Sequence, residues 1–175
     1  MYIRKATIND IDAIEKIYDD IHSAEENGKQ TIGWIRGVYP IRATAENALK
    51  RDDLFVLEDD GMIQATAIIN KTQVDSYSKA HWQHKASDDE VCVLHTLVVS
   101  PSASKKGYGK SFIQFYEDYA LKNGCAELRI DTNARNKVAR SMYKKLGYTE
   151  VDIIPTDFNG IPNINLVLLE KYLGN

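Results

Sequence analysis

A chain of 175 residues predicts a single domain over 1–175, long enough to bury about two-thirds of the surface that its unfolded form exposes. Lys+Arg number 22 against 25 Asp+Glu, a net charge of −3, which excludes the general basic excess that draws a protein to nucleic acid or an anionic membrane. With 43% apolar and 27% charged residues, 4 Pro and 10 Gly, the composition also excludes a disordered or fibrous chain.

The amino-terminal MYIRKATINDID carries charges throughout and has no apolar stretch of the secretory kind. No run approaches the ~18 apolar residues of a membrane span, so a cytoplasmic protein without membrane contact is expected. Residues 2–6 read as a strand, and Asn9-Asp10 offer a cap before Ile11, Ile14, Ile17, Tyr18 and Ile21 at helical spacing. GKQTIGWIRGVYP, residues 28–40, is broken by three glycines and a proline and reads as a loop; residues 43–50 read as a short helix. LFVLE and MIQATAIIN flank Asp59-Asp60-Gly61, a hairpin signal. A polar stretch, 71–89, precedes EVCVLHTLVV at 90–99, an almost continuous β-branched and aliphatic run that predicts a central strand covered on both faces.

A Ser/Lys/Gly loop over 101–109 leads into a helix with Phe112, Phe115, Tyr116 and Tyr119 on one face, stopped by Gly124. AELRID is a strand, NKVARSMYKKLG a helix ended by Gly147, and YTEVDII and INLVLLEKYL two further strands around a loop at 154–163. The order is β-α-α-β-β-β-α-β-α-β-β, an α/β (α+β) fold with a mixed sheet. Its strand-helix-strand unit over 91–131 makes two central strands parallel, and ligands in such sheets bind where a strand's carboxyl end meets a helix amino terminus. That places the site at 97–111.

Cys92 and Cys125 lack metal-binding spacing and read as buried thiols. His81, Trp82 and His84 read as surface loop, with no third ligand at a suitable spacing, so no metal is expected.

The loop SASKKGYGKS, residues 102–111, has three lysines and no acid, and opens into a helix. Backbone N–H groups, the helix dipole and glycines that admit close approach make it an anion cradle. Gly109-Lys110-Ser111 matches the end of a Walker A motif, but Ser104 stands where that motif requires glycine. In NKVARSMYKKLGY, Asn136 and Tyr143 share a helix face while Val138, Met142 and Leu146 line another.

Together VVSPSASKKGYG and this helix resemble the V-x-P-x-x-[QR]-x-x-G-x-G acetyl-CoA loop and the N-x-x-A-x-x-[LF]-Y-x-x-x-G-[FY] motif of the GNAT acetyltransferase superfamily. One departure is Ser104, where the family usually has Gln or Arg. The resemblance implies acetyl-CoA as co-substrate, with the main chain of Leu97, Val98 and Val99 meeting the acetyl group and pantetheine arm. It gives the pyrophosphate to the loop from Ser104 through Lys105, Lys106, Gly107, Tyr108, Gly109, Lys110 and Ser111. Asn136 would hydrogen-bond the cofactor, and Tyr143 would lie near its sulfur as the acid that protonates the departing thiolate.

The implied chemistry is direct attack of an amine on the thioester, which needs a proton acceptor. Alternation places Val93, His95, Leu97 and Val99 on one strand face, making His95 the expected base, with Glu90 in reserve. Trp34, Arg36 and Tyr39 are expected to wall the acceptor pocket, suiting a small-molecule or amino-acid-like amine. A homodimer is allowed, and two other readings stay open: a non-catalytic acetyl-CoA-binding module and a small P-loop nucleotide binder.

Overall fold

The computed structural model describes residues 1–174. Its strands are β1 (Tyr2–Lys5), β2 (Leu54–Asp59), β3 (Met62–Asn70), β4 (Val91–Val99), β5 (Glu127–Asn133), β6 (Thr149–Phe158) and β7 (Ile161–Tyr172). The helices are α1 (Ile11–Glu26), α2 (Arg42–Lys50), α3 (Tyr108–Lys122) and α4 (Lys137–Lys145), so the expected element order is the observed one. No described helix is long and apolar enough to cross a membrane.

The strands form one seven-stranded sheet in the order β1-β2-β3-β4-β5-β7-β6. β4 lies in the middle, as its unbroken apolar run demands, and β4–β5 is the parallel pair that the βαβ connection through α3 requires. One face carries α3 and α4 over Phe55, Leu57, Ala67, Leu94, Leu128 and Ile130. The other carries α1 and α2 over Leu54, Val56, Ile68 and Val98, with a smaller cluster under the 71–89 segment formed by Tyr77, Val93, Leu166 and Leu168. Period-2 alternation divides β2 and β7 between the two faces.

Two boundaries differ from expectation. Residues 154–163 are not a loop: β6 and β7 extend into a long hairpin that turns at Asn159-Gly160, both at positive φ (53° and 76°), a two-residue turn of the kind Asn-Gly adopts readily. Glu90 does not open the central strand either. It ends a 3₁₀ turn in which the Ser87 N–H (2.9 Å) and hydroxyl (2.8 Å) both donate to its carboxylate.

Where β1 joins α1, the Arg4 guanidinium grips Asp10 through two contacts (2.7 and 2.9 Å), and Asp10 also accepts from the Thr7 N–H at 2.7 Å. These donors, Arg4 foremost, hold the Asp10 carboxyl down to about 2. A folded value below the unfolded one contributes stability that is present above pH ~4 and lost as pH falls toward 2. Asp10→Asn is therefore expected to cost at most about 2 kcal/mol at pH 7, less where water screens the partly exposed Arg4, and to flatten the acid limb. Urea midpoints at pH 7 and pH 3 measure it; a difference between the two pH values unaltered by the substitution would remove Asp10 as the cause.

Candidate functional site

The middle of the sheet contains a built-in break. β4 and β5 pair only from Val91↔Glu127 to Leu94↔Ile130. Past that point β4 continues with β3 alone and β5 with β7, so the backbone of His95–Val99 has no strand on its β5 side. A bulge in β4 accompanies the break: its register against β3 shifts between Thr66 and Ile68, and Thr96 sits at φ 51°. An extra residue at a bulge reverses the facing of all that follow.

That reversal corrects the alternation expected for this strand. His95 pairs with Ile68 on the α1 side, whereas Leu97 and Val99 pack on the α3 side with Leu94. Val98 falls back on the α1 side. The His95 side chain therefore lies on the opposite face of the sheet from those of Leu97 and Val99 rather than on the same one.

On the α3 side, Gly107 caps α3 in the left-handed region (φ 84°), with open space where a Cβ would stand. Tyr108, Gly109 and Lys110 follow as the first helical residues, whose N–H groups have no carbonyl inside the helix to bond. Ser104, Lys105 and Lys106 are exposed beside them, and the Tyr108 hydroxyl donates to Asp59 (2.7 Å), tying the loop to the β2–β3 hairpin. Ser111 departs from expectation: its N–H bonds Gly107 O at 3.0 Å and closes the helix, so it offers no free amide. The loop otherwise has the free donors, the access and the positive surroundings that a pyrophosphate needs.

The gap opens into a cleft of about 560 Å³ that is lined from both faces of the sheet. Trp34 and Tyr39 wall it, their rings edge to face at 6.0 Å. Their neighbour Arg36 does not: it lies on the surface, paired with Glu26 (2.8 Å) and Asp19 (3.2 Å). α2 contributes Thr44, Asn47 and Arg51, the β6–β7 turn contributes Phe158 and Asn159, and α4 contributes Asn136, Ala139 and Tyr143. Asn136 also spends its side-chain carbonyl on capping α4, accepting from the Ala139 N–H at 3.1 Å, which leaves its amide NH₂ as the donor toward a ligand.

Three of the ionisable groups that line this space bear on proton transfer: His95, Asp131 and Tyr143. His95 is fixed by a chain that starts at Arg51, which holds Asp53 (2.9 Å); Asn70 donates to Asp53 (2.8 Å) and its carbonyl lies 3.0 Å from His95 Nε2. A carbonyl only accepts, so Nε2 carries the hydrogen and the free lone pair is on Nδ1. Burial pulls this imidazole down to about 4, so it is neutral at pH 7 and a weak base. Asp131, near the end of β5, is pushed up to about 6 by burial, against the Tyr77 hydroxyl that donates to it at 2.8 Å. Tyr143, buried at 5% exposure, is driven above the ordinary phenol value by burial and then by the charge of Asp131.

The structure thus brings Trp34, Tyr39, His95, Leu97, Asn136 and Tyr143 to one cleft and leaves Arg36 and Glu90 outside it. Asp131 and Arg51 were not singled out in the sequence. A signal for Asp131 existed: it is the one acid at the carboxyl end of the strand parallel to the central one.

Comparisons with known proteins bear on the family and the fold. The family described as the acetyltransferase (GNAT) family matches residues 11–148. The uncharacterized N-acetyltransferase YhfO of Bacillus subtilis (strain 168) is 38% identical over 60 residues, 34% of this chain; the match spans 40% of that relative's length. A GNAT-family acetyltransferase structure from Streptococcus agalactiae superposes with a TM-score of 0.79 at 22% identity, covering 99% of this chain and 96% of the other. YncA of Salmonella typhimurium, solved with its cofactor acetyl-CoA, superposes with a TM-score of 0.69 at 17% identity, covering 99% and 94%.

Proposed function

The chain belongs to the GNAT acetyltransferase family, and on that premise we propose that it transfers the acetyl group of acetyl-CoA to a primary amine of a small molecule. The observation that carries the proposal is the β4–β5 gap, which joins an anion cradle at the start of α3 to an acid-containing cleft that runs through the sheet. Acetyl-CoA supplies an acetyl group activated as a thioester. The residues present fit it: free amides at Tyr108, Gly109 and Lys110 for the pyrophosphate, and unpaired β4 backbone at Leu97–Val99 for the amides of the pantetheine arm, in the manner of an added strand. Lys105 and Lys106 add charge, and the Asn136 NH₂ adds a donor.

Asp131 takes the amine proton. A free amine of reference pKa ~10 is mostly protonated at neutral pH, so the acceptor arrives as a cation, which a carboxylate attracts and an imidazole does not. Burial raises the proton affinity of the Asp131 carboxyl and lowers that of the His95 imidazole, so Asp131 is the better proton acceptor of the two. His95 becomes a positioning residue on the cleft floor rather than the base. A β4 N–H facing the gap stabilises the developing oxyanion, and the Tyr143 hydroxyl donates to the departing sulfur. Two protons leave the ammonium nitrogen in all: Asp131 takes the first and passes it to solvent, and the second, released as the amide forms, replaces the one that Tyr143 gives to sulfur.

Trp34, Tyr39 and Phe158 supply apolar walls, and a cleft of about 560 Å³ is of small-molecule size. Incubation with acetyl-CoA and a panel of amines, amino acids, polyamines and peptides, read by free-thiol release, tests the reading. Acetyl-CoA binding without turnover on any amine would favour a non-catalytic binding module. ATP–Mg²⁺ binding with indifference to acetyl-CoA would favour the nucleotide binder, against which stands Ser104 in place of the first Walker A glycine.

The cradle yields its own expectation. Gly107→Val puts a β-branched residue at φ 84°, a strain of ~1–3 kcal/mol that is relieved only by turning the amides away. The acetyl-CoA Kd should rise roughly tenfold or more, measured by calorimetry. An unchanged Kd would place the pyrophosphate elsewhere.

A further inference from the structure

At the end of the sheet away from the cleft, beneath the 71–89 segment, two glutamates meet. Glu127 begins β5 and Glu170 lies near the end of β7, one step apart in register, since Glu127 faces Tyr172 and Arg129 faces Glu170. Their side chains are 0% and 2% exposed. One oxygen of each is served: Glu127 Oε1 by a long contact from Arg129 Nε (3.4 Å), and Glu170 Oε1 by the Gln83 N–H (2.9 Å). The other oxygen of each, Glu127 Oε2 and Glu170 Oε2, is buried with no hydrogen-bond partner.

Unpartnered carboxylate oxygens in a buried site are costly, and two carboxylates facing one guanidinium leave a negative charge uncompensated. Arg129 cannot turn toward them freely, because its guanidinium sits over the Trp82 ring at 4.1 Å from the centroid and also bonds Gln73. The third group present is an imidazole. His84 Nδ1 stands 3.9 Å from Glu170 Oε1, the ring stacked on Tyr172 at 4.6 Å, and one ligand atom from each of His84, Glu127 and Glu170 lies within 4.8 Å of the other two.

We propose that His84, Glu127 and Glu170 bind one divalent cation of the zinc class. One nitrogen and two carboxylate oxygens are a ligand set for such an ion, with water completing a four-coordinate shell. Magnesium and calcium favour all-oxygen shells of six or more ligands, whereas an imidazole nitrogen in a buried site suits zinc. Bonds of ~2.0–2.1 Å require ligand atoms about 3.4 Å apart, so the set closes by roughly 1 Å on binding. His84 can supply that movement, because its side chain is 44% exposed and belongs to an irregular segment.

The ion would be structural. Glu127 lies four residues from Asp131 along β5, about 13 Å at strand rise, so the cation is remote from the acetyl-transfer chemistry. What it joins is the 71–89 segment and the sheet. That segment also provides Thr72 and Val74 to the cleft wall and Tyr77 to Asp131, so the ion would staple the wall in place.

The test uses the full chain stripped by chelator, titrated with zinc sulfate by calorimetry and followed by thermal unfolding. One zinc per chain is expected, with a Tm rise of roughly 5–10 °C at a hundredfold excess over Kd and no comparable rise with magnesium. His84→Ala and Glu127→Gln should each weaken zinc binding by more than tenfold. Absence of saturable one-to-one binding would overturn the proposal and leave the two carboxyls sharing a proton. So would a Kd unaltered in His84→Ala, which removes a half-exposed side chain and is expected to fold even where Glu127→Gln does not. Because the readout is binding, its failure is separate from failure of the acetyl-transfer reading.

Discussion

Asp131→Asn is expected to lower kcat/KM by roughly 10²–10⁴-fold, the range for a positioned base, and to abolish a rising limb near pH 6. The sign follows from the active form: only the carboxylate accepts a proton, so activity in the native protein climbs as pH rises through about 6. The acceptor's own ionisation adds a second limb at higher pH, which the substitution leaves in place. Asparagine keeps the size of the side chain and still accepts from the Tyr77 hydroxyl, so the fold should survive. Indeed the Tm at pH 7 should hold or rise. A buried carboxyl with a raised folded value contributes stability that is lost as pH passes 6, and a neutral amide does not carry that penalty. His95→Gln serves as the comparison, with kcat/KM within about tenfold of the native value and the limb near pH 6 retained. If His95→Gln removes the limb and Asp131→Asn leaves it, the proton acceptor is His95.

Tyr143→Phe is expected to lower kcat by on the order of 10²-fold while the KM for acetyl-CoA changes no more than a few-fold. The ring stays packed beside Tyr148 (5.9 Å between centroids), so only the hydroxyl is lost. Burial, and after it the charge of Asp131, keeps this phenol protonated well above its ordinary range. The second cause links the two residues. When Asp131 takes the amine proton its charge disappears, and Tyr143 becomes a stronger acid as the thiolate departs. Steady-state kinetics with a genuine acceptor measures the effect. An unchanged kcat would assign Tyr143 to packing and the protonation of sulfur to water.

How far the sequence reached depended on whether a feature was local. The loop proposed as the pyrophosphate cradle was legible as a helix start with free amides, because its glycines and lysines lie within ten consecutive residues. Tyr143 and Asn136 were legible because helical spacing alone puts them on one side of α4. His95 was legible as a residue of the central strand but not by its facing. Alternation holds only while the ladder is regular, and the bulge at Thr96, a residue without glycine's freedom, carries no sequence mark. Arg36 looked like a pocket cation until α1 supplied Glu26 and Asp19 to bind it.

Element order, the central strand and the parallel β4–β5 pair were thus determined by the sequence itself, because hydrophobic period and turn residues act over distances of a few residues. Which groups carry charge into the cleft was decided only in three dimensions. Asp131 owes its raised value to burial between strands far apart in the chain, His95 its lowered one to the same cause, and His84 meets Glu127 and Glu170 only because β5 and β7 are neighbours. Burial and proximity between distant segments are properties of the packed sheet, and a pattern read along the chain has no term for either.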